Sequence, residues 1–95
     1  MKVGTTSNGF HYEFDEARAD DMRFVDLIVT SMDENASEFD KIAASSKLIE
    51  MLLGKEQKKA LFEHIGKNYD GRVPLAEVTK ALSEIMQGGG DAVKN

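Results

Sequence analysis

Alternating apolar and polar residues near the N-terminus predict a β-hairpin over residues 2–14. Every second residue from 10 to 14 is aromatic and those between are polar, a period typical of a half-buried strand. Ser7-Asn8-Gly9 precedes this strand and is a turn signal, because Asn-Gly tolerates positive φ. A two-stranded ribbon is marginal alone in water, so we expect the hairpin to pack on other elements or on another chain.

After the hairpin, apolar residues recur every three or four positions, which is the spacing of a helix. The predicted fold is therefore mainly α: an N-terminal β-hairpin followed by about four short helices, in a single small domain. The first helix is predicted to begin at Asp20 or Asp21, whose carboxylate would cap free N–H groups. Its apolar residues are Met22, Phe24, Val25, Leu27, Ile28, Val29 and Met32. A stripe this wide predicts a helix that is buried on more than one side.

The second predicted helix begins near Ser37, with Asp40 three residues on in a loose capping box. Gly54 follows the last apolar residue and is predicted to end this helix. The expected inward residues are Phe39, Ile42, Ile49, Leu52 and Leu53.

The third predicted helix runs from about Lys55 to His64 or Ile65, and Gly66 ends it. A loop with a turn signature follows at 67–72. Pro74 is predicted to open the fourth helix, where its missing N–H does no harm. The apolar residues of these two helices are Leu61, Phe62 and Ile65, then Leu75, Val78, Leu82, Ile85 and Met86. We therefore expect one domain over 1–87 and a flexible glycine-rich tail over 88–95.

Length and composition narrow the class of protein. A chain of 95 residues fits one domain, and the absence of cysteine excludes disulfides and thiolate metal sites. No apolar run approaches the roughly 20 residues that span a bilayer. The N-terminus also lacks the apolar segment of a signal peptide, so we expect a cytoplasmic protein.

The net charge of −5 is unevenly distributed. Residues 1–40 hold three basic and ten acidic side chains, whereas residues 41–95 hold nine and seven. An acidic chain lacks the basic surface that nucleic-acid binding needs, so we expect no nucleic-acid partner. This uneven charge would let the acidic part of one copy bind the basic part of another, head to tail, in a homo-oligomer. We favour the simpler interpretation that both charged surfaces face solvent.

No pattern in the sequence predicts an enzyme or a cofactor. The only histidines are His11 and His64, and no His-x-x-x-His pair is present to start a zinc site. No serine lies in a nucleophile elbow, and there is no cysteine nucleophile. Both histidines are interpreted as surface residues, and no catalytic residue is assigned.

The segment from Gly66 to Glu77 partly matches a twelve-residue calcium loop. Asn68, Asp70 and Glu77 fall at positions 3, 5 and 12. Position 1, normally Asp, is Gly66, and position 9 is Pro74. We favour a turn that serves the local backbone, with an EF-hand-like calcium-responsive module as the alternative.

A helix-turn-helix could be drawn through Gly54, with Lys55, Lys58 and Lys59 on the second helix. Helical pairs joined by a glycine are common in any bundle, and the chain is acidic overall. A small helical DNA-binding regulator is therefore only a further alternative.

Five short stretches carry a family resemblance over roughly residues 10–86. They are Phe14-Asp15-Glu16, Asp20-Asp21-Met22-Arg23-Phe24, Leu52-Leu53-Gly54-Lys55-Glu56-Gln57, Leu61-Phe62-Glu63-His64 and Asp70-Gly71-Arg72-Val73. Because these stretches occur in this order, the chain resembles the tail assembly chaperones of long-tailed bacteriophages and prophages of Gram-positive bacteria.

The resemblance implies a viral tail assembly chaperone in the host bacterial cytoplasm. Such proteins lack catalytic residues, hold the long tape measure protein soluble and help tail tube subunits assemble around it. Many are made in two lengths, the longer by a ribosomal frameshift near the end of the gene. The glycines at 88–90 could be encoded by a slippery run of guanines, or they could simply form a flexible tail.

Overall fold

The computed structural model describes residues 1–88 as a hairpin followed by helices. The elements are β1 (Lys2–Thr5), β2 (His11–Phe14), a 3₁₀ helix (Glu16–Ala19), α1 (Met22–Met32), α2 (Glu38–Gly66) and α3 (Leu75–Gly88). A mainly helical domain with an N-terminal hairpin is therefore confirmed, whereas about four helices is wrong, because residues 1–88 contain three α-helices. The predicted tail lies outside the described residues, apart from Gly88.

The second and third predicted helices form one element, α2, with a kink at Gly54. Only this residue leaves the helical region, at φ 83° and ψ 165°, so no loop separates the two parts. That conformation is essentially restricted to glycine. Carbonyls before a kink lose their usual donors. The Met51 carbonyl accepts a hydrogen bond from Arg18 Nη1 at 3.3 Å, and the Leu53 carbonyl accepts one from Gln57 Nε2 at 2.8 Å.

The hairpin pairs in an antiparallel register, with Lys2 opposite Phe14 and Thr5 opposite His11. Its turn contains Gly9 at φ 91°, as the Asn-Gly signal predicts. The aromatic face is turned inward: Phe10 and Tyr12 are buried and Phe14 is half-buried. The hairpin prediction is confirmed.

The side chains of Gln57 and Glu84 connect the hairpin to the helices. Gln57 Oε1 accepts a hydrogen bond from the Glu13 N–H at 3.0 Å, while Gln57 Nε2 donates to the Glu13 carbonyl at 2.7 Å. The amide group of Gln57 thus takes the place of a neighbouring strand at this edge of β2. At the turn, the Ser7 N–H and hydroxyl donate to the Glu84 carboxylate at 2.8 and 2.6 Å.

The core lies around α2, which contacts α1, α3 and β2. Its most deeply buried large side chains are Leu48, Ile49, Leu61, Ile65 and Ile85. Burying one such side chain stabilises the fold by about 1.5–3 kcal/mol. Within residues 1–88, no helix has both the length and the apolarity needed to cross a membrane.

The helix ends agree with the sequence signals. Asp21 caps α1, and Ser37 caps α2 by accepting a hydrogen bond from the Asp40 N–H. The predicted loop at 67–72 is a turn, and α3 begins directly after Pro74.

Candidate protein-binding surface

Helix α1 packs on the core with one face only. Phe24 is 4% exposed, and Leu27 and Ile28 are half-buried against the core. The main neighbours of α1 are α2 and the 3₁₀ helix, whereas the hairpin packs on α2 and α3. The prediction that this helix is buried on more than one side is therefore wrong, because no described element covers its second apolar face.

The uncovered face of α1 carries four apolar side chains, here called the α1 stripe. Met22, Val25, Val29 and Met32 are 69, 40, 61 and 75% exposed. Their spacing of three, four and three residues places them on one side of the helix. The first and last of them are ten residues apart, which is about 15 Å along the helix. The sequence identifies all four as apolar helix residues but assigns them to the core.

Phe39 adds an aromatic ring at the end of the α1–α2 pair. It is 78% exposed in the first turn of α2, so its predicted place among the inward residues is wrong. The first buried residue of α2 is Ala44, five residues later. The linker at 33–37 is short, so Phe39 lies at the same end of the helix pair as Met32.

The chain around the stripe is strongly acidic. Residues 20–40 contain seven acidic side chains and one basic side chain, Arg23, for a net charge of −6. Arg23 Nη2 lies 2.7 Å from Asp21 Oδ2, so its charge is already paired. Hydrogen bonds from the Arg23 side chain and backbone lower the pKa of Asp21 to about 2.

Two further carboxylates border the stripe without an ion pair. Asp26 lies four residues after Met22 and three before Val29, which places it beside the stripe on the helix surface. Asp33 is the C-terminal cap of α1, and its Oδ1 accepts the Asn35 N–H at 2.9 Å. No basic side chain of the described chain is within 4.0 Å of either carboxylate. The apolar stripe thus has an acidic edge.

Asp26 also lines a shallow groove between α1 and α2, as does Arg23 on the same helix. Leu27 and Met51 are its apolar lining, and Lys47 and Glu50 belong to its α2 side. Because both charge signs line this groove, its electrostatic preference is weaker than that of the stripe edge.

Both histidines make polar contacts with the hairpin, His11 from within it and His64 from α2. His11 Nδ1 lies 2.8 Å from Thr5 Oγ1 across the two strands. His64 Nε2 lies 2.8 Å from the Asn8 carbonyl oxygen, and its ring centroid is 5.8 Å from that of Phe10. His64 is therefore a half-buried support for the turn, and its interpretation as a surface residue is wrong.

The residues of the calcium alternative lie in and after the loop between α2 and α3. Asn68 and Asp70 are exposed, and Glu77 is in the first turn of α3. The loop closes on its own backbone, since the Gly66 carbonyl accepts a hydrogen bond from the Gly71 N–H at 2.8 Å. Nowhere in residues 1–88 do three or more His, Asp or Glu side chains form a group that could hold a metal ion.

The lysines of the helix-turn-helix alternative have different environments. Lys55 and Lys59 are exposed, whereas Lys58 Nζ lies 3.2 Å from Glu50 Oε1 and 5.8 Å from the centroid of the Phe62 ring. The expected turn at Gly54 is a kink within α2.

Comparison of the chain with protein-family models, curated proteins and solved structures finds no match. The functional interpretation therefore depends on the α1 stripe, its acidic edge and the resemblance of the short sequence stretches.

Proposed function

We propose that this chain is a tail assembly chaperone of long-tailed bacteriophages. In this role it binds the tape measure protein and aids assembly of the tail tube through protein contacts alone. The ordered sequence stretches over residues 10–86 support the family, and the α1 stripe is the observation that supports a binding role.

A chaperone for a long client needs apolar surface that stays available in the free protein. The four side chains of the α1 stripe form a continuous row, unlike the single exposed apolar residues that are normal on any surface. Two of them are methionines, whose flexible side chains adapt to different partner sequences. Covering the stripe with client side chains would remove apolar surface of both proteins from water.

The test is co-expression with a tape measure protein of a long-tailed phage. We expect fragments of the tape measure protein to be insoluble alone, and to become soluble and co-purify when this chain is present. An unrelated acidic helical domain, expressed at the same level, controls for a general effect on solubility. The proposal fails if the client stays insoluble and no complex is recovered.

The encoding DNA offers an independent test of the family. We expect a slippery run near the codons of Gly88, Gly89 and Gly90, with an open shifted frame after it and a second, longer product detectable by mass spectrometry. A plain stop without a shifted frame would count against a two-product gene of this family.

A further inference from the structure

We infer that the α1 stripe is the docking site for a basic amphipathic helix of another protein. The inference depends on the proposed function only in taking that helix to belong to the client. The proposed site consists of the apolar side chains of Met22, Val25, Val29 and Met32 and the carboxylates of Asp26 and Asp33. The proposed partner is a helix with apolar residues on one face and basic residues beside them.

The shape of the surface favours a helical partner. Its four apolar side chains follow one face of a helix for about 15 Å, which equals nearly three helical turns. A second helix lying along this row can offer apolar residues at the same spacing of three and four. Both helices keep their backbone hydrogen bonds internally, so only side chains need to meet.

The charge of the surface favours a basic partner. The stripe lies in a segment of net charge −6, and Asp26 and Asp33 have no ion-pair partner among the described residues. Lysine or arginine residues flanking the apolar face of the partner would meet these carboxylates as the two helices pack. Opposite charges at the rim also increase the association rate, and salt weakens this effect.

A second copy of the chain fits the surface poorly. If two stripes packed as antiparallel helices about a two-fold axis, the same acidic edges would face each other and repel. In a parallel pair, each acidic edge would meet the other flank of the stripe, which brings no matching charge, because Arg23 is the only basic residue in 20–40 and is already paired with Asp21. The other exposed apolar residues of the described helices after Phe39 are Leu75 and Met86 on α3, a helix that carries Glu77 and Glu84 but only Lys80 as a basic residue. That helix offers no basic edge to match α1.

A membrane surface also fits poorly. Helices that lie on membranes usually carry lysine and arginine beside the apolar face, where they meet anionic lipids. The unpaired charges beside the α1 stripe are carboxylates, which such lipids repel. These observations leave a basic helix as the favoured occupant.

The experiment uses a designed peptide of about 18 residues, five helical turns, with leucine along one face and lysine on both flanks. Its binding to the full chain is measured by fluorescence anisotropy between about 50 and 300 mM salt. A matched peptide with glutamate in place of lysine is the charge control. We expect the lysine peptide to bind, to bind more weakly at high salt, and to bind at least about tenfold more tightly than the glutamate peptide.

Paired variants locate the site. Val29→Gln with Met32→Gln removes half of the stripe, and both side chains are mostly exposed, so the fold should be unaffected. Leu75→Gln with Met86→Gln is the matched control on α3. We expect the first pair to weaken peptide binding by about tenfold or more and the second pair to leave it unchanged.

A second set of variants tests the acidic edge against a control pair that changes the net charge by the same amount. Asp26→Asn with Asp33→Asn removes two charges, and asparagine at 33 can still accept the Asn35 N–H. Glu56→Gln with Glu63→Gln removes two exposed charges from the later part of α2. We expect only the first pair to reduce peptide affinity and its dependence on salt.

Several results would overturn the inference. They are equal effects of the stripe and control variants, equal binding of both peptides, self-association in sedimentation that the Val29 and Met32 changes abolish, or binding to phosphatidylserine vesicles without binding to the peptide. Failure of the tape measure co-expression, with peptide binding confined to the stripe, would instead reject the proposed function and leave the docking site in place.

Discussion

Replacing Gly54 with alanine should destabilise the fold, because this residue lies at φ 83° and ψ 165° in the middle of α2. Residues that carry a Cβ atom essentially never adopt this combination of φ and ψ. The kink is also where Arg18 and Gln57 donate to carbonyls of the preceding turn. A straightened α2 would place those carbonyls back in the helix and remove both side-chain contacts.

The expected loss of stability in Gly54→Ala comes from the backbone conformation of residue 54 alone. An added Cβ would meet only Arg18 Nη1, at 3.8 Å, which is an ordinary contact, so no steric clash contributes. Holding a residue in this conformation costs about 1–3 kcal/mol. Alanine also restricts the unfolded chain, which offsets about 0.4–1 kcal/mol. We expect a net loss of about 1.5 kcal/mol, or roughly 6–12 °C in Tm for a domain of this size.

Thermal and urea unfolding followed by circular dichroism would measure the change, with Gly66→Ala as the matched control. Gly66 ends α2 without a positive φ, and a Cβ there would lie 3.5 Å from backbone atoms of Gly71. We expect this control to lose no stability relative to the parent, because the added Cβ makes only an ordinary contact and alanine is the better helix former. If Gly54→Ala were as stable as the control, the kink would not be a requirement of the fold and the reasoning would be refuted.

Three further predictions concern the contacts that position the hairpin and α1. Gln57→Glu should destabilise the chain by about 1–3 kcal/mol at neutral pH, since a carboxylate cannot donate to the carbonyls of Glu13 and Leu53 and each lost hydrogen bond costs about 0.5–1.5 kcal/mol; urea unfolding measures the loss, and Gln57→Glu at parental stability would contradict it. Hydrogen bonds from Ser7 lower the pKa of Glu84, so their stabilisation is present above its ordinary value of 4.5 and is lost as the pH falls through the lowered folded value. Across this acid range, the free energy of unfolding should depend less on pH in Glu84→Gln than in the parent. An unchanged pH dependence would show that the Glu84 carboxylate does not contribute to stability. Asp21→Ala should lower Tm more than Asp21→Asn, because asparagine can still accept the capping N–H of α1; equal losses in thermal unfolding would argue against a capping role.

Local signals predict much of this fold, because they act within a few residues. The Asn-Gly turn, the caps at Asp21 and Ser37 and the alternation in β2 all appear where expected. Gly54 was the exception, since a glycine after an apolar run is typical of a helix end. Whether it ends or only kinks the helix depends on which side chains satisfy the freed carbonyls; here these are Gln57, four residues after Leu53 in α2, and Arg18, which is 33 residues from Met51.

The hydrogen bonds of the hairpin could not be predicted in the same way. Ser7 and Glu84 are 77 residues apart, and Glu13 and Gln57 are 44 residues apart. Neither pair has a sequence spacing that indicates contact, because each depends on how the hairpin docks against two helices. The 3₁₀ helix has no sequence signal either, since a single turn capped by Asp15 leaves no periodic pattern.

The α1 stripe shows why a candidate binding surface is harder to predict than a core. Helical spacing identifies which apolar side chains share a face, but burial also depends on how many elements surround the helix. Phe24 and Val29 are both apolar residues of α1, yet one is 4% and the other 61% exposed. Since α2 and the 3₁₀ helix are the main neighbours of α1, a stripe wider than one interface must leave part of its apolar surface in water. An apolar pattern too wide for the elements available to cover it is therefore a sequence signal for a partner, and the acidic residues beside it indicate the charge that partner should carry.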